Sequence, residues 1–134
     1  MAHNQDIDSF YQEMASQAAE VTEDLNGKLL FCAEVSDGVV SSAVVFEKGG
    51  DKIPSFVFTP SSLVDKVYEF WTRWTLEFNN EWRIIELSLQ NGEFEINLIY
   101  PDQIDADLHF DDFRDEIFER HFGGKPIDYS ASEF

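Results

Sequence analysis

The sequence predicts an α+β fold of two layers: a largely antiparallel sheet of about five strands with helices packed on one of its faces, in the order α-β-β-β-α-β-β-α. Three observations carry this. Asn91-Gly92 stands between two alternating apolar and polar runs, and both residue types tolerate the positive φ that a two-residue type I′ turn requires. Folding about that turn pairs Leu89 with Phe94, Leu87 with Ile96 and Ile85 with Leu98 on one apolar face, while Ser88 meets Glu95 and Glu86 meets Asn97 on a polar one. A slip of one residue would mix the two faces, so pattern and turn chemistry demand the same register. Apolar stripes at helical spacing flank the strand runs, and short Gly-rich turns separate the strands, which makes neighbours antiparallel.

The elements follow in order. A helix is expected over 9–25, where Phe10, Met14, Ala18, Val21 and Leu25 recur at three- and four-residue intervals, with Asn26-Gly27 as its stop. Strands are expected over 28–35 and 39–48, joined at Asp37-Gly38, and over 53–58 after Gly49-Gly50-Asp51. Pro54 lacks a backbone donor, which suits an edge or strand-entry position. A second helix starts after Pro60, with Ser61 or Ser62 as cap, and carries the stripe Leu63, Val67, Phe70, Trp71, Trp74 and Phe78. The hairpin follows. A third helix is expected over 111–122, capped by Asp111 or Asp112, with Phe113, Ile117 and Phe118 inward and Gly123-Gly124 and Pro126 ending it. The chain is one domain, 1–134, with 1–8 and 128–134 as loose ends.

Charge narrows the partners. Nine basic against 27 acidic residues give a net charge of −18, which repels nucleic-acid backbones and anionic membranes and attracts a basic protein surface. The single Cys32 lies in an apolar strand-like run and reads as a small buried thiol, without an internal disulfide. Residues 1–10 show no signal-peptide pattern and no run spans a bilayer, so the cytoplasm is the expected compartment.

Catalytic and cofactor motifs are scarce. There is no GxGxxG, GxxxxGK[ST], CxxC, HExxH or GxSxG, and His3, His109 and His121 are isolated, so neither catalysis nor a cofactor is expected. His121 reads as a surface residue or a favourable charge at a helix C-terminus. The acidic stretch holding Asp105, Asp107, Asp111 and Asp112 invites a calcium reading, but an EF-hand loop needs Gly at its sixth position. Counting from Asp102 puts Asp107 there, and counting from Asp105 puts Phe110 there, so no metal is expected. The plain account makes Asp115, Glu116 and Glu119 a solvated helix face with Arg114 and Arg120. The functional account makes Asp105, Asp107, Asp111, Asp112, Asp115 and Glu119 a partner-binding surface.

The segments YQEM at 11–14, FCAEV at 31–35, FWTRWTLEFNNEW at 70–82, GEFEINLIYPD at 92–102 and FGGKP at 122–126 resemble the YezG-like family of antitoxin or immunity proteins. The resemblance covers roughly 10–126, and this chain departs from the family pattern in lacking a proline before Trp82 and carrying Arg83 after it. It implies a small intracellular protein that binds and neutralises a cognate toxin, often a nuclease, without catalysis. Acidic side chains would then mimic substrate phosphates, and exposed aromatics would fill the interface. A general protein-interaction adaptor is the alternative, and a small-molecule-binding domain or an enzyme the third reading.

Overall fold

Seven consecutive residues of the first strand, Leu29 to Val35, are buried, and that run organises the chain. The structure, a computed structural model, describes residues 2–22, 25–36, 38–104 and 109–129. Its elements are α1 (Ala2–Glu20), β1 (Leu25–Ser36), β2 (Val39–Lys48), β3 (Ile53–Val57), α2 (Ser61–Phe78), β4 (Ile84–Gln90), β5 (Glu93–Ile99) and α3 (Phe110–Phe122), with a short 3-10 turn at Pro101–Gln103. The five strands form one antiparallel sheet in the spatial order β3-β2-β1-β4-β5.

The fold class and element order are those the sequence predicts, but the layering differs. Leu29, Phe31, Ala33 and Val35 of the central strand face α1 and α2, together with Met14, Leu63, Val67 and Phe70. Leu30 and Cys32 face the other way, under Phe113, Ile117 and Phe118 of α3. Helices therefore cover both faces of the sheet, giving three layers. The cause is the apolar run Leu29–Ala33 in β1, which sets apolar side chains on both faces and needs a cover on each. Burying each large apolar side chain contributes on the order of 1.5–3 kcal/mol, so neither cover can be dispensed with.

The hairpin has the expected register throughout, from Gln90↔Glu93 at the turn to Ile84↔Ile99, with Leu87 opposite Ile96. Asn91 and Gly92 take φ of 56° and 79°, as a type I′ turn demands. Pro54 lies on edge strand β3, also as expected.

Several boundaries move. Asn26-Gly27 does not stop the first helix, which ends at Glu20; both residues belong to β1, inside an irregularity between Leu25 and Leu29. Gly27 is needed there because its φ is +126° and because a Cβ would lie 2.6 Å from Glu47 Oε1. That oxygen accepts the Lys28 backbone N–H at 2.7 Å, and Asn26 Nδ2 donates to the Gly49 carbonyl at 2.8 Å. Glycine's positive φ therefore serves a bulge rather than a helix end. The serine cap of α2 is also displaced: Pro60 holds the N-cap position with no side-chain cap bond, and Ser61 is already helical. Asn79, left-handed at φ 54°, closes that helix.

Parts of the stretches read as loose ends, 1–8 and 128–134, are regular, while residues 1 and 130–134 lie outside the described residues. The first helix begins at Ala2, with Ile7 packed on the core. Asp128 forms a parallel bridge to Ser55, its N–H donating to Pro54 O and its carbonyl accepting from Phe56 N–H, both at 2.8 Å.

Replacing Gly92 by Val tests the hairpin. Nothing lies within 4 Å of a Cβ built there, so the cost comes from backbone conformation alone. Urea denaturation should show a loss of about 1–3 kcal/mol for Val and much less for Asn. Equal stability of the parent and Gly92→Val proteins would exclude the type I′ turn.

Candidate partner interface

Helix α3 separates its side chains by chemistry. Phe110, Phe113, Ile117, Phe118 and Phe122 are buried on the sheet, while Asp111, Asp112, Asp115, Glu116 and Glu119 are exposed at the three- and four-residue spacings that form one outer face. Neither Asp111 nor Asp112 caps the helix. His109 occupies that position, its carbonyl accepting from the N–H groups of Asp112 and Phe113, and the two aspartates lie in the first turn. There they favour the positive end of the helix dipole. Gly123, left-handed at φ 64°, closes the other end.

Both arginines of α3 make contacts away from these acids, although Arg120 keeps 54% of its side chain exposed. Arg120 reaches across the sheet to Glu86, Nη1 to Oε1 at 2.8 Å. Arg114 turns its guanidinium toward the Phe118 ring, 5.7 Å from its centroid. On the solvent side of α3 five exposed acids stand against one exposed arginine, Arg120.

His121 is drawn in the same direction. It is not a surface residue: its Nε2 lies 2.9 Å from Glu86 Oε1, and Asn97 Nδ2 donates to Glu86 Oε2 at 3.3 Å. Glu86 itself is 3% exposed. Burial pushes its carboxyl pKa upward, but the His121 hydrogen bond and the Arg120 and His121 charges outweigh burial and hold it below the ordinary 4.5. A charge this deep is tolerable because its oxygens are partnered on both sides. A second ion pair, Arg83 Nε to Glu34 Oε2 at 2.7 Å, satisfies the other acid of this face at the strand end. It also gives Arg83 a structural role.

Two exposed aromatics gather on Phe56 at the β3 edge. Phe58 is 56% and Tyr129 38% exposed, and both rings pack on Phe56, with centroids 5.6 and 5.4 Å away. The Tyr129 hydroxyl pKa is raised by burial and, to a smaller degree, by the Asp115 charge, against a lowering from Arg114. The aromatic stripe of α2 belongs to the opposite side of the sheet. Trp71 donates its indole N–H to the Trp82 carbonyl and Trp74 to Asn80 Oδ1, both at 2.8 Å, so these rings tie α2 to the start of β4. One flat partner surface cannot meet both α3 and α2.

Of the six acidic residues singled out from the sequence, the structure brings Asp111, Asp112, Asp115 and Glu119 together on α3; Asp105 and Asp107 lie outside the described residues. Sequence reasoning missed Glu86, Asn97, Phe58 and Tyr129. The pairing of Glu86 with Asn97 on the polar hairpin face was the available signal. Cys32 is fully buried beneath α3, its thiol pushed up to about 12 by burial and the Glu86 charge, against a lowering from Arg114. Among the described residues no group of three or more His, Cys, Asp or Glu is placed to hold a metal, and no helix is long and apolar enough to cross a membrane.

The Glu86 cluster predicts an acid-limb signature. A carboxyl whose folded pKa is depressed stabilises the fold fully above its unfolded pKa, and that contribution is lost as pH falls through the lower folded value. Glu86→Gln should cost about 1–3 kcal/mol at neutral pH, with the deficit shrinking below about pH 4.5. Urea titrations of the two proteins across that range check it; a deficit independent of pH would show that Glu86 is not held ionised. Comparison of the chain with protein-family models finds no match, and comparison with curated proteins finds none either.

Proposed function

We propose that this protein is an immunity or antitoxin protein that binds a basic, nuclease-type toxin and blocks it by occupying its substrate-binding face. The carrying observation is the outer face of α3, where Asp111, Asp112, Asp115, Glu116 and Glu119 stand exposed while Arg114 lies toward Phe118 and the charge of Arg120 is paired with Glu86. A row of carboxylates one helical turn apart offers a basic groove a series of anionic oxygens at about 5–6 Å intervals, close to the phosphate spacing of an extended nucleic-acid strand. Phe58 and Tyr129 supply apolar contact at the β3 edge. The net charge of −18 steers a cationic partner toward the chain. The resemblance to YezG-like proteins supports the same reading.

Neutralising the face tests it. The variant Asp111→Asn, Asp112→Asn, Asp115→Asn, Glu119→Gln should fold with a loss of about 1 kcal/mol, from the first-turn dipole contribution. Co-expressed with the toxin encoded beside its gene, the parent should rescue growth and the variant should fail. With purified partners, association at low salt should slow by roughly tenfold and lose salt dependence, with dissociation changing less. Unaltered rescue, association rate and salt slope would reject α3 as the contact surface.

A further inference from the structure

The two edges of the sheet are built differently. Edge strand β3 is closed: Pro54 offers no donor, and Asp128 takes the Phe56 N–H and the Pro54 carbonyl. Edge strand β5 is open along its seven residues. The Arg83 carbonyl accepts from Val35 N–H, so the odd-numbered residues of β4 turn their backbone toward β1 and the even-numbered ones toward β5. In the β4–β5 register those even residues pair with Glu93, Glu95, Asn97 and Ile99. The backbone N–H and C=O groups of Phe94, Ile96 and Leu98 therefore point outward, with no partner among the described residues.

The side chains on that edge alternate to match. Glu93, Glu95 and Asn97 are exposed on the α3 side, where Glu95 and Asn97 border an open concavity with Ser88. Phe94, Ile96 and Leu98 lie on the α1–α2 side, Phe94 being 38% exposed. We infer that β5 receives an extended segment of a basic protein as a sixth strand. The added strand would hydrogen-bond to Phe94, Ile96 and Leu98, set basic residues against Glu93 and Glu95, and set apolar residues against Phe94 and Ile96.

Charge selects this occupant over a second copy of the chain. Pairing β5 with itself would gather Glu93 and Glu95 of both copies at one seam between molecules of net charge −18. Acidic residues on an open edge oppose self-pairing, and the same residues reward a basic strand. The inference shares with the proposed function only the partner's basic character; the α3 variant leaves β5 intact, so the two readings fail separately.

The probe is a peptide as long as β5 that alternates lysine and valine, titrated into the full chain while amide exchange is followed by NMR. Exchange at Phe94, Ile96 and Leu98 should slow as the peptide binds. Glu93→Lys with Glu95→Lys should weaken binding by roughly tenfold and let a peptide alternating glutamate and valine bind instead. Ile96→Pro, which removes an outward donor but no bond to β4, should abolish the protection. Should that variant fail to fold, the charge-reversed protein still decides. No binding, equal affinity for the charge-reversed protein, or protection confined to α3 would overturn the inference. So would protection of the same three amides without peptide, accompanied by a dimer mass, since a second copy would then be the occupant.

Discussion

Burial of β1 on both faces is the constraint from which the rest follows. A strand apolar from Leu29 to Ala33 and buried as far as Val35 can be stable only at the centre of a sheet with a cover above and below. The central place goes to β1, with β2 and β4 as neighbours, and the two helices joined through Lys66, Glu13 and the Phe10–Phe70 contact supply one cover. The short α3 must supply the other. Its inner face is correspondingly rich in phenylalanine, and its outer face has no packing duty.

The surface chemistry descends from that arrangement. Because α3 does not span the whole sheet, the polar ends of β4 and β5 remain open, and Glu86 lies at the border between covered and uncovered sheet. A buried carboxylate there needs cations, and the last turn of α3 provides Arg120 and His121. These contacts tie the helix to the sheet and pair the positive charge of its last turn with Glu86.

Local signals in the sequence reported the local structure well. The Asn91-Gly92 turn, the hairpin register and the Pro54 edge are each fixed by residues close in the chain, and each appears as read. Where a residue's role depends on a distant partner, the sequence misled. Gly27 looks like a helix stop until Glu47 is placed against it, and Arg120 looks like a solvated charge until Glu86 lies beneath it. The second layer of helix was legible in principle, since an unbroken apolar strand implies two covers, but alternation in the neighbouring hairpin suggested a one-sided sheet. The acidic candidates on α3 were readable because helical spacing is local; the Phe58–Tyr129 pair was not, because strand pairing at Asp128 brings it together.

The only cysteine offers the most direct test of the two-sided sheet. Cys32 lies beneath α3 with no exposed surface, so a small aromatic disulfide reagent at mildly alkaline pH should modify it only through opening of the protein. The rate should fall at least about a thousandfold below that of the urea-unfolded chain, as expected for a core position. Phe118→Ala, which loosens the cover directly over it, should raise the rate; Phe70→Ala, on the opposite face, should raise it only through global stability. Modification of the native protein at close to the unfolded rate would mean that this face of the sheet is open and that α3 packs elsewhere.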